Sequence, residues 1–420
     1  MRKQRRALGR GMTASAATAL LVSALPLSSA ATAQAAQRTV TYTVSSQGSV
    51  SGDLNGFAAV AAQTFADPRG WTLGGTLGFQ RVSSGSDFSL ILASPSVIAD
   101  ASPSCSAEWS CRVGRNVYIN DVRWRTATTS WPHGLALYQQ YVILHEVGHW
   151  LGLGHSNCAG AGRATPVMQQ QSKDLQGCRA NVWPLIAERE QVGRTMGVAV
   201  AWSAIDQKYR SLGQESSALG APVTWEQPAG AGRYQSFQAG TIHWSSSTGA
   251  HETHGDIDRV YRAHAGSTGP LRFPVTDTRA TAGGRGRYNS FQGGTITWGP
   301  ATGAHETHGD IDRAYRAVGG SGGPLAYPTT DTGTTGDGRG RYSRFSGSGG
   351  GAIFWSTATG AHEVYGPIFG RWAQESYERG RLGYPTTGIR TVSGGQRCDF
   401  QHGWITYDSA TGKTTVIISG

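Results

Sequence analysis

Three histidines and one glutamate carry the strongest chemical signal in this chain. In His145-Glu146-Val147-Gly148-His149-Trp150-Leu151-Gly152-Leu153-Gly154-His155, the spacing H-E-x-x-H-x-x-G-x-x-H offers three imidazoles and a carboxylate to a single Zn²⁺. His145 and His149 are four apart, so on a helix both leave the same face one turn apart and reach one ion. Glu146 sits beside them, outside the ligand set, where a general base is needed. His155 requires the chain to turn back, and Gly152 supplies the positive φ that ends a helix without steric cost. The chemistry implied is hydrolysis by metal-activated water.

The element that must position these groups is a helix from about Leu135 to Leu151, with Leu135, Leu137, Tyr141, Leu144 and Leu151 giving its apolar pattern. Upstream, Arg38 to Val44, Phe88 to Leu92 and Asn116 to Trp124 read as strands and Asn55 to Phe65 as a helix. Pro184 to Gln191 starts a last helix. The zinc motif, followed at short distance by Pro166-Val167-Met168, resembles the metzincin clan of zinc peptidases, and residues 37–200 as a whole resemble small secreted metzincin-like proteins of high-GC Gram-positive bacteria. The resemblance implies an α/β zincin domain with a mixed sheet and an active-site helix. It also implies His145, His149 and His155 as zinc ligands, Glu146 as catalytic base and Met168 as a structural Met-turn beneath the metal.

At 420 residues with a formal charge of +10, the chain is too long for one core. Arg2, Lys3, Arg5, Arg6 and Arg10, then a mildly apolar Ala14 to Leu27 and small residues near Ala33 and Ala35, read as a signal peptide over 1–36. Its removal takes five basic and no acidic residues and leaves about +5, spread over both halves. No basic run suggests nucleic acid, and no later segment has the length of a membrane span. Secretion fits the cysteines. Four of them allow three pairings; the expectation is the local one, Cys105 with Cys111 and Cys158 with Cys178, the second tying together the segments after His155 and after Met168. Cys398 is left over.

The second half, 201–420, is a repeat array. Leu219-Gly220-Ala221-Pro222, Leu271-Arg272-Phe273-Pro274, Leu325-Ala326-Tyr327-Pro328 and Leu382-Gly383-Tyr384-Pro385 recur at steps of 52, 54 and 57 residues. Ile205/Tyr209, Ile257/Tyr261, Ile311/Tyr315 and Ile368/Trp372 form i, i+4 pairs just upstream. Phe237, Phe291, Phe345 and Phe400 precede Ile242-His243-Trp244 and its counterparts, which read as β-hairpins. Four helix-turn-hairpin units are expected, at about 201–254, 255–308, 309–365 and 366–420, forming an α+β ring or solenoid. They resemble LGFP repeats, which implies that they bind a cell-wall glycopolymer. His251-Glu252-Thr253-His254 and His305-Glu306-Thr307-His308 lack the i, i+4 pair and recur with the repeat, so they belong to the hairpins. Trp244, Trp298 and Trp355 read as core rather than sugar platforms. Cys398 stands where sister units place Gln235 and Asn289, and is expected free and partly accessible.

The combined expectation is a secreted, wall-associated zinc endopeptidase acting on protein or peptide. Two rivals are a peptidoglycan amide hydrolase and a non-catalytic wall-binding surface protein in which the metal is structural.

Overall fold

Five strands of the N-terminal half share one mixed sheet. In a computed structural model describing residues 36–419, these are β1 (Arg38–Gln47), β2 (Leu77–Arg81), β3 (Phe88–Ala93), β4 (Cys111–Val113) and β5 (Asn116–Asn120). The order is β2-β1-β3-β5-β4, parallel except for the edge strand β4. The expected signal peptide lies, but for its last residue, outside the described residues. No helix among the described residues is long and apolar enough to cross a membrane.

Helices α1 (Leu54–Ala66), α2 (Pro95–Ala101), α3 (Asp121–Thr126), α4 (Leu135–Trp150) and α5 (Ile186–Met196) accompany the sheet. Asp53 caps α1 by accepting from Asn55 and Gly56 N–H, satisfying donors the helix cannot. The expected strand Asn116 to Trp124 is cut short at Asn120. That side chain accepts from Val122 and Arg123 N–H and starts α3 instead, since an Asn cap with Asp121 in the first turn favours helix over strand. Trp71 is fully buried and donates Nε1–H to Leu144 O at 2.8 Å, pinning α4 from inside the core. Phe57, Phe65, Phe88 and Leu90 fill the space between sheet and helices.

Beyond residue 200 one element order recurs: helix, 3₁₀ turn, four-stranded antiparallel sheet. The helices are α6 (Ala204–Ser211), α7 (Gly255–Ala263), α8 (Gly309–Ala317) and α9 (Gly366–Gln374), and the sheets fall within 227–254, 279–308, 333–365 and 390–418. The single hairpin expected per unit is thus half of a larger sheet. The outermost strand, only two residues long at Arg279–Ala280 and Gly333–Thr334, is too short to display alternation. Hydrogen bonds and ion pairs link each unit to the next, and among the described residues none joins the first to the fourth.

The tetrads explain their own composition. Leu219, Leu271, Leu325 and Leu382 are buried in their units. The second position has positive φ in every copy: Gly220 71°, Arg272 57°, Ala326 55° and Gly383 72°, the region glycine enters at least cost. Its carbonyl accepts from Tyr209, Tyr261 and Tyr315 Oη in the first three copies. In the fourth, Trp372 replaces the tyrosine and its Nε1 is left without a partner. The third position reaches back to the preceding unit: Phe273 covers Gly232, Tyr327 covers Gly286 and Tyr384 covers Gly340, each glycine leaving room only for the ring. Ala221 has no preceding unit to cover.

The first unit is tied to the N-terminal half. Arg189 on α5 and Asp206 on α6 form a buried pair at 2.6 Å, and Trp202 lies under the guanidinium groups of Arg189 and Arg210. Ala164 N–H donates to Pro222 O. Cutting at residue 200 would strand Arg189 without its carboxylate, a costly loss for a buried charge.

Candidate metal centre

Helix α4 presents His145 and His149 on one face, and Leu151 caps it. Gly152 then takes φ +96°, and the chain returns to bring His155 beside them. One ring nitrogen from each histidine lies within 4.8 Å of the others. His149 Nε2 and His155 Nε2 are 3.1 Å apart, close to the roughly 3.3 Å separating two nitrogen ligands of a tetrahedral ion at about 2.0–2.1 Å.

The other ring nitrogens of the two helical histidines are spoken for. His145 Nδ1 donates to Val167 O at 2.8 Å and His149 Nδ1 to Leu153 O at 2.9 Å. A carbonyl only accepts, so both Nδ1 atoms carry the proton and both Nε2 atoms are bare, the state a metal ligand needs. Burial, aided by the neighbouring His149, lowers His145 to about 3. His149 and His155 are lowered too, again chiefly by burial. All three are therefore neutral at physiological pH, and the donor set fits zinc.

Glu146 is buried beside the cluster, and burial pushes its carboxyl up to about 8 against the opposing pull of Arg112. It lines a cavity of about 330 Å³ together with the three histidines. One wall is the loop closed by the Cys105–Cys111 disulfide, with Trp109 and Ser110. Another is the segment Gln170 to Lys173, just after Met168. The second disulfide, Cys158–Cys178, joins the segments flanking the centre as expected from the sequence.

Met168 is buried against Gly148, between the two helical histidines. The residue that holds its turn was not legible in the sequence. Glu188 accepts from Val167 N–H at 3.1 Å, Met168 N–H at 2.9 Å and Leu185 N–H at 2.8 Å. Burial lifts its carboxyl to about 7, although these three donors favour the charged form. Through Val167 O, which orients His145, Glu188 positions the histidine without touching the cluster. Its one sequence signal is a position three residues into the helix that follows Pro184 and Leu185.

The repeat histidines stay apart from this centre. His254 bonds to Glu252 and His308 to Glu306, while His251 and His305 face Asp277 and Asp331 of the following unit. Trp244, Trp298 and Trp355 are partly buried against their units' cores. Cys398 is free but fully buried, correcting the expected accessibility. Its thiol donates to Thr387 O, as Gln235 donates to Thr224 O and Asn289 to Thr276 O. The position is polar because it bonds inward to backbone.

Residues 219–269, 271–323 and 325–380 match the LGFP repeat. The second half carries LGFP repeats. Their frame starts at the tetrad, so the fourth tetrad at 382–385 begins just past the matched segments. Residues 8–189 match a family described as Protein of unknown function (DUF3152). The N-terminal domain is thus a DUF3152 domain, and the zinc-peptidase reading rests on the site's own geometry. A search of curated proteins gives no match. Solved structures that match include the extracellular domain of a candidate hybrid two component system, BT4673 from B. thetaiotaomicron, at 14% identity, 47% of this chain, 22% of that chain and a TM-score of 0.14. A candidate 6-phosphogluconolactonase from Bacteroides uniformis ATCC 8492 matches at 10% identity, 48% of this chain, 71% of that one and a TM-score of 0.12. This chain spans under a quarter of the first structure's length, and neither likeness carries an argument.

Proposed function

We propose that this chain is a secreted zinc-dependent endopeptidase, with a zincin-like catalytic domain, held at the cell wall by its LGFP repeats. The observation that carries this reading is the convergence of three neutral imidazole nitrogens within 4.8 Å beside a buried glutamate side chain that lines the cavity. His145, His149 and His155 would hold the ion. Zinc in such a triad supplies Lewis acidity, activating water and polarising a carbonyl. Burial alone keeps the Glu146 carboxyl protonated; with the ion's charge beside it, it would ionise, take the proton of the attacking water and pass it to the leaving amine. Met168 and Glu188 keep the centre's floor in place. Edge strand β4, paired only with β5, offers free backbone groups along which an extended peptide can lie. The LGFP repeats point to a surface or wall-binding role, and two disulfides suit an exported protein.

The same chemistry would cut the amide bonds of peptidoglycan, and wall-binding repeats favour that as the second reading. Wild-type and Glu146→Gln proteins, assayed side by side on casein and purified peptidoglycan, decide between them. Turnover should fall by about 10²–10⁴ in the variant while its metal content is kept. Casein cleavage supports the endopeptidase and wall cleavage alone the amide hydrolase. Inactivity of the zinc-loaded wild type on both would leave a non-catalytic surface protein.

A further inference from the structure

The cavity beside the histidine cluster is unbalanced in charge. Arg112, on β4, and Lys173, on the segment after Met168, both line it and both are exposed. Among the described residues neither forms an ion pair with a carboxylate, so both bring their charge to the cavity. Among the described residues the one acidic side chain lining the cavity is Glu146, which is buried against the cluster.

Both cations are held in place by neutral groups. Arg112 Nη2 donates to His149 O at 2.9 Å and Nη1 to Gly114 O at 3.5 Å, both backbone carbonyls, which leaves further donors of the guanidinium free. Lys173 Nζ lies 5.6 Å from the ring centroid of Trp109, itself under Arg123 at 5.0 Å. A cation over an aromatic face keeps its charge and its outward hydrogens. Strand β4 and the segment after Met168 therefore each bring one cation without an ion-paired carboxylate to whatever enters, and such a field selects for negative charge.

We propose that this cleft selects peptides bearing a carboxylate near the bond to be cut, with Lys173 and Arg112 as its specificity-determining residues. The inference rests on the peptidase reading of the site and deepens it by naming the substrate class. The carboxylate is either an acidic side chain or a free C-terminus, since both present the same two acceptor oxygens to a cation.

Binding is measured on full-length, zinc-loaded Glu146→Gln protein, in which turnover is slowed. Matched short peptides carry Glu, Gln or Lys at one position with an amidated end, and the Gln peptide is repeated with a free acid end. The expected result is a Kd about tenfold lower for at least one carboxylate peptide than for the neutral one, weakest binding by the Lys peptide, and loss of the preference in Lys173→Glu and Arg112→Gln. Tight binding of the Glu amide assigns the side chain, and of the free acid the C-terminus. Equal affinities, no binding at millimolar peptide, or a preference unchanged in both variants would overturn the proposal. Wild-type hydrolysis is scored separately: selective binding without cleavage removes the peptidase reading alone, and cleavage without selectivity removes this inference alone.

Discussion

Met168 Sδ occupies the space that a side chain at Gly148 would need: a Cβ built there collides with the sulfur and stands 3.1 Å from the Trp71 ring. The helix that carries both ligands and the turn beneath it are therefore packed backbone against thioether. That closeness sets the height of Val167 O, which fixes His145.

Gly148→Ala is expected to destabilise the protein by about 1–3 kcal/mol, the usual cost of forcing a methyl into a filled core, lowering Tm by about 2–4 °C per kcal/mol. It should also weaken metal binding, because the floor moves with the sulfur. Calorimetry and a zinc competition titration measure both, and an unchanged Tm would mean that the contact is not tight.

The repeat junctions should loosen in acid. Burial would raise Asp277, but bonds from His251 and Lys208 outweigh it and hold the carboxyl well below the usual range. At Asp331 burial likewise pushes upward, but Glu306 N–H, His264 and His305 together outweigh it and hold the carboxyl low. A carboxyl lowered by folding adds stability that is complete above its unfolded value, about 3.9, and is lost as pH falls through the folded one. Asp277→Asn should cost a few °C of Tm at pH 7, with the gap to wild type narrowing below about pH 4. A gap constant from neutral to acid pH would remove the ionic account of the junction.

Cys398 should resist alkylation in the native protein and react once the chain is unfolded in denaturant without reductant. Burial raises its thiol far above the ordinary value and closes access to it. Peptide mapping after native and denatured alkylation reads this directly; rapid native labelling would contradict the packing of the last unit.

What the sequence disclosed and what it hid divide along locality. The approach of His145 to His149 follows from one turn of helix, and the return of His155 from one glycine, so both were visible in eleven residues. Glu188 was not, because its partners are backbone N–H groups about twenty residues away, which leave no mark on residue type. Ile/Tyr pairs disclosed the repeat helices, whereas two-residue strands had no alternation to show. Asn120 ends a strand that the apolar run extends to Trp124, since a cap is a single residue inside a pattern of several. At Cys398, polarity in the sister units predicts exposure, and the structure shows burial. Asn289 shows the error: it is fully buried, with Nδ2 donating to Glu252 O and Thr276 O.

A zinc peptidase requires His145, His149 and His155 to hold one ion. Elemental analysis of the full-length protein, as wild type and as His155→Ala, tests this most directly after both are exposed to equimolar zinc and desalted. The expected result is about one zinc per chain in the wild type and a marked loss in the variant, with its fold intact by calorimetry. Wild-type protein without zinc, or a variant that retains as much as the wild type, would contradict it.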